Sequence, residues 1–167
     1  MNLQIRVDTW GALLSGQAPQ IVQDNLDAFI TEATAFLDAQ VKMRTPQGVF
    51  GAQGGLLGSI QADVAGKGTP LVKGTVMSAH KYAEVIEKGR TPGKGMPPRG
   101  SLVRWIEVKL GLDPKSAQNL DYVIRRSIGR KGFEGRHMFE KAVTENQGKL
   151  EAMADRHCMK IAGELNG

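Results

Sequence analysis

Between Gly89 and Gly100 the chain holds four glycines, three prolines and the cations Arg90, Lys94 and Arg99. Such a segment cannot continue a helix and offers little apolar area to bury, so whatever flanks it must be joined by a loop. On its N-terminal side, Tyr82, Val85 and Ile86 recur at i, i+3 and i+4, the pattern of a short amphipathic helix that Gly89 ends. On its C-terminal side Ser101 is a candidate N-cap, and Leu102, Val103, Ile106 and Leu110 keep helical spacing up to Gly111. Residues 80–112 therefore read as helix, basic loop, helix.

The rest of the chain is read against that unit. Val22, Leu26, Phe29, Ile30, Ala33, Phe36, Leu37 and Val41 fall at steps of three and four, which predicts one long helix over Pro19–Arg44, on the order of 39 Å at ~1.5 Å per residue. Pro46 fixes its end. Residues 47–55 hold four glycines and read as a flexible tongue. Alternation over 59–65 and again over 71–77, with Gly66 to Pro70 between, predicts a β-hairpin. Two strands alone are marginal, so the hairpin must lie against a helix, and the long first helix is assigned to cover it. A shorter alternation, Leu3 to Val7, suggests a strand or extended arm.

Beyond Asp113-Pro114, Ser116 is a candidate cap for a helix running to about Ile128, with Leu120, Val123, Ile124 and Ile128 on its apolar face. Trp105, in the helix before it, is expected to be buried. Arg125, Arg126, Arg130, Lys131 and Arg136 then fall within twelve residues, against Glu134 alone. From His137 to Leu165 a terminal helix is predicted, its seam marked by Phe139, Ala142, Val143, Asn146, Leu150, Met153, His157, Ile161 and Leu165, with Gly148 as the place for a bend. The fold class is α+β, a small sheet or hairpin on a long N-terminal helix with further helices and a long C-terminal one. The 167 residues are expected to form a single domain, with loops 47–55 and 89–100 and a C-terminal helical extension.

With 41% apolar and 23% charged residues, global disorder is excluded by composition. A lone cysteine, Cys158, precludes an internal disulfide and a cysteine-rich metal site. No basic region followed by an apolar run opens the sequence, and no apolar run reaches ~18 residues, so neither a signal peptide nor a membrane partner is expected. His80, His137 and His157 are scattered and match no metal-ligand spacing. His157 and Cys158 are adjacent, and neighbours on a helix point ~100° apart, a poor geometry for a nucleophile and its base. Gly93-Lys94-Gly95-Met96-Pro97-Pro98 lacks the order of a phosphate-binding loop, and its prolines remove amides that a phosphate would need. Glu84 and Glu87 sit beside Lys81, Lys88 and Arg90, so ion pairs are their expected use. No enzyme activity and no cofactor are expected. The net charge of +5 suits either an acidic partner, protein surface or nucleic acid, or a basicity that only aids solubility.

Two blocks carry a likeness. Tyr82, Ala83, Ile86, Glu87 and Gly89, then Pro92, Gly93, Lys94, Pro97 and Pro98, then Trp105, Lys109, Leu110 and Gly111 form the first. Ile128-Gly129-Arg130-Lys131-Gly132 followed by Gly135-Arg136 and Met138-Phe139 forms the second. In order and spacing they resemble the tail-component and head-to-tail joining (neck, or tail-completion) family of long-tailed double-stranded DNA bacteriophages. The resemblance covers residues 80–143, and it departs where His137 and Met138 replace a proline and an aromatic. It implies a structural virion protein, assembled in the host cytoplasm, that forms a homo-oligomeric ring, a hexamer being one candidate. The ring would stand at the head-tail junction or proximal tail end, against connector and tail proteins, with double-stranded DNA passing close by. On this reading Arg90, Lys94, Arg99, Arg130, Lys131 and Arg136 pair with acids on an adjoining ring. The alternative is a nucleic-acid binder, in which the same cations contact phosphates and Trp105 or Tyr82 stacks a base.

Overall fold

A computed structural model describes residues 16–49 and 54–166. The strand expected over Leu3–Val7 lies outside them, as does part of the glycine tongue. Seven helices are described, α1 (Ala18–Arg44), α2 (Gly55–Gly58), α3 (Ala83–Lys88), α4 (Val103–Leu110), α5 (Pro114–Lys131), α6 (Met138–Thr144) and α7 (Gln147–Asn166). The strands are β1 (Ile60–Ala65) with β2 (Lys73–Ser78), and the two-residue β3 (Gly89–Arg90) with β4 (Phe133–Glu134). The class is α+β, with the long first helix and the long last helix in place. Contacts gather the described residues into two compact units: one holds the chain up to Phe36 with Ala62–Thr75 and Glu145 onward, the other Leu37–Gln61 and Val76–Thr144.

In the first unit the hairpin lies on α1. The link of residues 66–72 is too short for a parallel crossover, so the strands run antiparallel. Gly68 donates its amide to Asp27 Oδ2 (2.7 Å) at the turn. Further along, a side chain at Gly74 would strike Thr34 of α1, so this glycine is what lets strand and helix approach. Thr34 itself is buried and returns its hydroxyl to the Ile30 carbonyl (2.6 Å). The α7 seam is as periodicity predicts: Asn146 is buried and Leu150, Met153, His157, Ile161 and Leu165 are half-buried.

The predicted terminal helix is nevertheless two helices. Its break falls at residues 145–146, before Gly148, which is inside α7. Asn146, a residue type favoured at helix starts, is buried there and its carbonyl accepts the amides of Lys149 and Leu150 (both 3.0 Å). An exposed helical glycine merely weakens a helix, whereas a buried asparagine with a capping carbonyl resets it.

The second unit has its core around Val41, Leu57, Ile60, Met138 and Ala142, with Leu56, Val76, Ile86 and Phe139 against it. The end of the tongue is thus ordered as α2, because Leu57 is an anchor for the core. Thr45 closes α1, donating to the Val41 carbonyl (2.7 Å) and facing the Met138 sulfur (3.2 Å). Ser101 does not cap α4: Leu102 holds that position, without a side-chain cap bond from itself. Nor does Ser116 start α5. Asp113 caps it, accepting from Lys115 and Ser116 amides at 3.0 and 3.1 Å, with Pro114 in the first turn.

Candidate interaction surface

The basic loop is fastened to α5 by an ion pair that has turned inward. Arg125 and Asp121 are both buried, and Arg125 Nε donates to Asp121 Oδ2 at 2.7 Å. Arg125 Nη1 also donates to the Pro97 carbonyl (3.1 Å), while the carboxylate accepts the amides of Gly100 (3.1 Å) and Leu102 (3.2 Å). Asp121 therefore supplies, from a different helix, the anion that the start of α4 lacks. Burial pushes its carboxyl up, but the guanidinium and the two amides outweigh that and hold its pKa below the ordinary carboxylate value.

Glycines let the same segments touch backbone to backbone. The Gly93 amide donates to the Gly129 carbonyl (2.9 Å), and a side chain at Gly129 would crowd Gly95 and Met96. Gly89 pairs with Glu134 and Arg90 with Phe133 in the small sheet. Gly132, at φ 65°, faces the Arg90 carbonyl so closely that no Cβ fits. Glu87 completes the join: its carboxylate accepts the amides of Phe139 (3.1 Å) and Glu140 (3.0 Å) at the head of α6. The two blocks that carry the family likeness, distant in sequence, are thus one tertiary unit.

His137 is fixed by the same join. Its φ is 51°, the left-handed region, and its amide donates to the Glu87 carbonyl (3.0 Å). A proline has neither that φ nor that donor. Met138, in the aromatic's place, is wholly buried in the core.

The six cations singled out by sequence have different fates. Arg90 is turned onto its own loop, with Nη2 donating to the Lys94 (2.9 Å) and Gly95 (3.0 Å) carbonyls. It is a brace. Lys94, Arg99, Arg130, Lys131 and Arg136 are exposed and have no acid partner among the described residues. Arg130 and Lys131 stand in the last turn of α5, which runs past its expected end at Ile128, and cations there are favoured by the helix dipole. With Arg126 and Ser127 they line an open hollow that begins at Val123. A second hollow continues along α5 past Val123, Leu120, Asn119 and Ser116 to Leu112.

Sequence periodicity placed Leu120, Val123, Ile124 and Ile128 of α5 inward; Leu120, Ile124 and Ile128 are half-buried, but the most deeply covered face is another one. The buried residues are Ala117, Asp121, Arg125 and Gly129, whereas Val123 is 59% exposed. On α4 only Ile106 is buried, and Trp105, expected in the core, is 41% exposed beside Val108 at 45% and Leu110 at 50%. The missed signal was the i, i+4 register of an alanine, an acid, an arginine and a glycine.

The residues weighed for chemistry have structural partners. Glu84 pairs with Lys88 at 2.8 Å. His80 accepts the Tyr82 amide at 3.3 Å, His137 lies 2.8 Å from Glu140, and His157 lies 3.1 Å from Glu32, with Cys158 exposed. Among the described residues no group of three His, Cys, Asp or Glu side chains could hold a metal, and no helix is long and apolar enough to cross a membrane. No protein-family model, curated protein or solved structure matches the chain.

Proposed function

We propose that this chain is a structural virion subunit of a tailed phage, one that closes into a ring at the head-tail junction or the proximal tail end and runs no reaction. The observation that carries this reading is the exposure of four large apolar side chains, Trp105, Val108 and Leu110 on α4 and Val123 on α5. Large apolar side chains left in water on two neighbouring helices support a surface that another protein covers. The likeness of residues 80–143 to neck and tail-completion proteins supplies the setting: a virion, with connector and tail proteins as the further neighbours. Light scattering and negative-stain electron microscopy of the purified chain, alone and mixed with connector and tail proteins, test it. Closed rings are the expected result, and a chain that stays monomeric and binds none of these proteins overturns the reading.

One observation favours the alternative of a nucleic-acid binder. Trp105 is half-exposed with Arg104 next to it, so its ring is open to a base. On that reading DNA is retained at low salt and released by orders of magnitude near 200 mM.

A further inference from the structure

The +5 charge is unevenly shared. The described residues of the first unit carry five Lys/Arg against eight Asp/Glu, net −3, and those of the second carry sixteen against eight, net +8. Two helix faces concentrate the difference, every residue named on them exposed except Leu120, which is half-buried. On α5, Leu120, Val123, Arg126 with Ser127, and Arg130 with Lys131 follow one another at helical spacing, apolar first and basic last. On α7, Glu151, Asp155, Met159 and Ala162 form an exposed stripe that is acidic first and apolar last, with Met159 at 76% exposure. The cations of α7 are already engaged: Lys149 lies over the Phe36 ring, Arg156 pairs with Glu32 and Lys160 with Glu164. Its acids at 151 and 155 therefore remain as net charge.

We infer that the α5 face of one copy receives the α7 stripe of a second copy, the helices running antiparallel. Leu120 to Lys131 and Glu151 to Ala162 are equal in length, about 16 Å at ~1.5 Å per residue. Laid antiparallel, a single register sets Leu120 on Ala162, Val123 on Met159, Ser127 and Arg126 on Asp155, and Lys131 with Arg130 on Glu151. Apolar meets apolar and cation meets acid along the whole contact. Because the two surfaces differ, the contact is heterologous, the kind that makes a ring when its rotation closes. The pairing rests on the assembly reading above and names the surface by which it is achieved. About three helical turns make a small interface, so association is salt-sensitive and depends on closure for its strength.

The test uses the full chain with R126E/K131E on one face or E151K/D155K on the other. All four side chains are exposed, and circular dichroism melting confirms that each variant folds. Each alone is expected to lose self-association by on the order of a hundredfold, since like charges then face each other. An equimolar mixture, in which each reversed face meets its complement, is expected to recover it. Variants that assemble like the wild type overturn this contact and leave the ring reading standing. A wild-type chain that is monomeric at every concentration and at low salt overturns the self-pairing itself. If R126E/K131E abolishes DNA retention and leaves the assembled mass unchanged, the α5 face serves nucleic acid and the inference is wrong.

Discussion

Helices α5 and α7 differ in what they cover most deeply. The seam of α7 is half-buried and mostly apolar, Leu150, Met153, Ile161 and Leu165 with His157 among them, and its outer stripe begins with the acids Glu151 and Asp155. Along α5 the inner face is Ala117, Asp121, Arg125 and Gly129, and the apolar Val123 is outside. The contrast shows two ways of being held. α7 is placed by half-buried apolar side chains, whereas α5 is anchored by a buried ion pair and by backbone contacts at a glycine, which leaves Val123 open to another surface.

The sharpest way to break that contrast is Asp121→Ala. It strands the Arg125 charge in the interior and leaves the Gly100 and Leu102 amides without an acceptor, an expected loss of about 3–5 kcal/mol in urea unfolding. The double variant D121L/R125M recovers part of this because no buried charge is left over. A loss under about 1 kcal/mol for Asp121→Ala would mean that α5 is held by something else. Since the folded-state pKa of Asp121 lies below its unfolded one, its contribution is present above the ordinary carboxylate pKa. It disappears as pH falls through the lower, folded value. Wild-type stability should therefore decline in acid with a steeper slope than that of the double variant.

Next in size is His137→Pro. The substitution demands a φ near −65° where the backbone is at 51°, and it deletes the bond to the Glu87 carbonyl. About 3 kcal/mol is the expected loss, again by denaturant titration. His137→Gly, which relaxes the left-handed backbone, is expected to be neutral or slightly stabilising. Gly132→Ala should come third, at about 1–3 kcal/mol, because φ 65° and the nearby Arg90 carbonyl both oppose a Cβ. If these two variants behave like ordinary surface changes, the join between the two sequence blocks is not what orders the loop.

Much of this architecture is legible in the sequence, and the exceptions share a cause. The spacing from Val22 to Val41 gives α1, the alternation around Gly66 gives the hairpin, and Gly89 and Gly111 end their helices at the residues expected. What is missed is the most deeply buried face of α5. An Asp and an Arg four apart on a helix look like a solvated pair, and only the arrival of residues 97–102 from outside makes them interior groups. Local chemistry left one clue unread: Asp113 followed by Pro114 is a stronger helix start than Ser116. At the interaction surface, Arg130 and Lys131 were legible as surplus charge, but Arg90 was not legible as a brace, since its acceptors are carbonyls that sequence does not display.

The smallest expected effect on stability is the most telling for function. Val123→Ser removes apolar area that is mostly in water already, so it should change unfolding free energy by no more than about 0.5 kcal/mol, and Trp105→Ser, whose side chain keeps more than half of its surface covered, by about 1–2 kcal/mol. An ordinary core position would lose several times the value for Val123. Association should respond in the reverse order, because side chains that contribute little to the isolated fold contribute most where a partner desolvates them. Sedimentation of the two variants against the wild type reads this directly. A Val123→Ser variant that destabilises the fold strongly would return that side chain to the interior of the molecule, and the distinction between α5 and α7 would vanish with it.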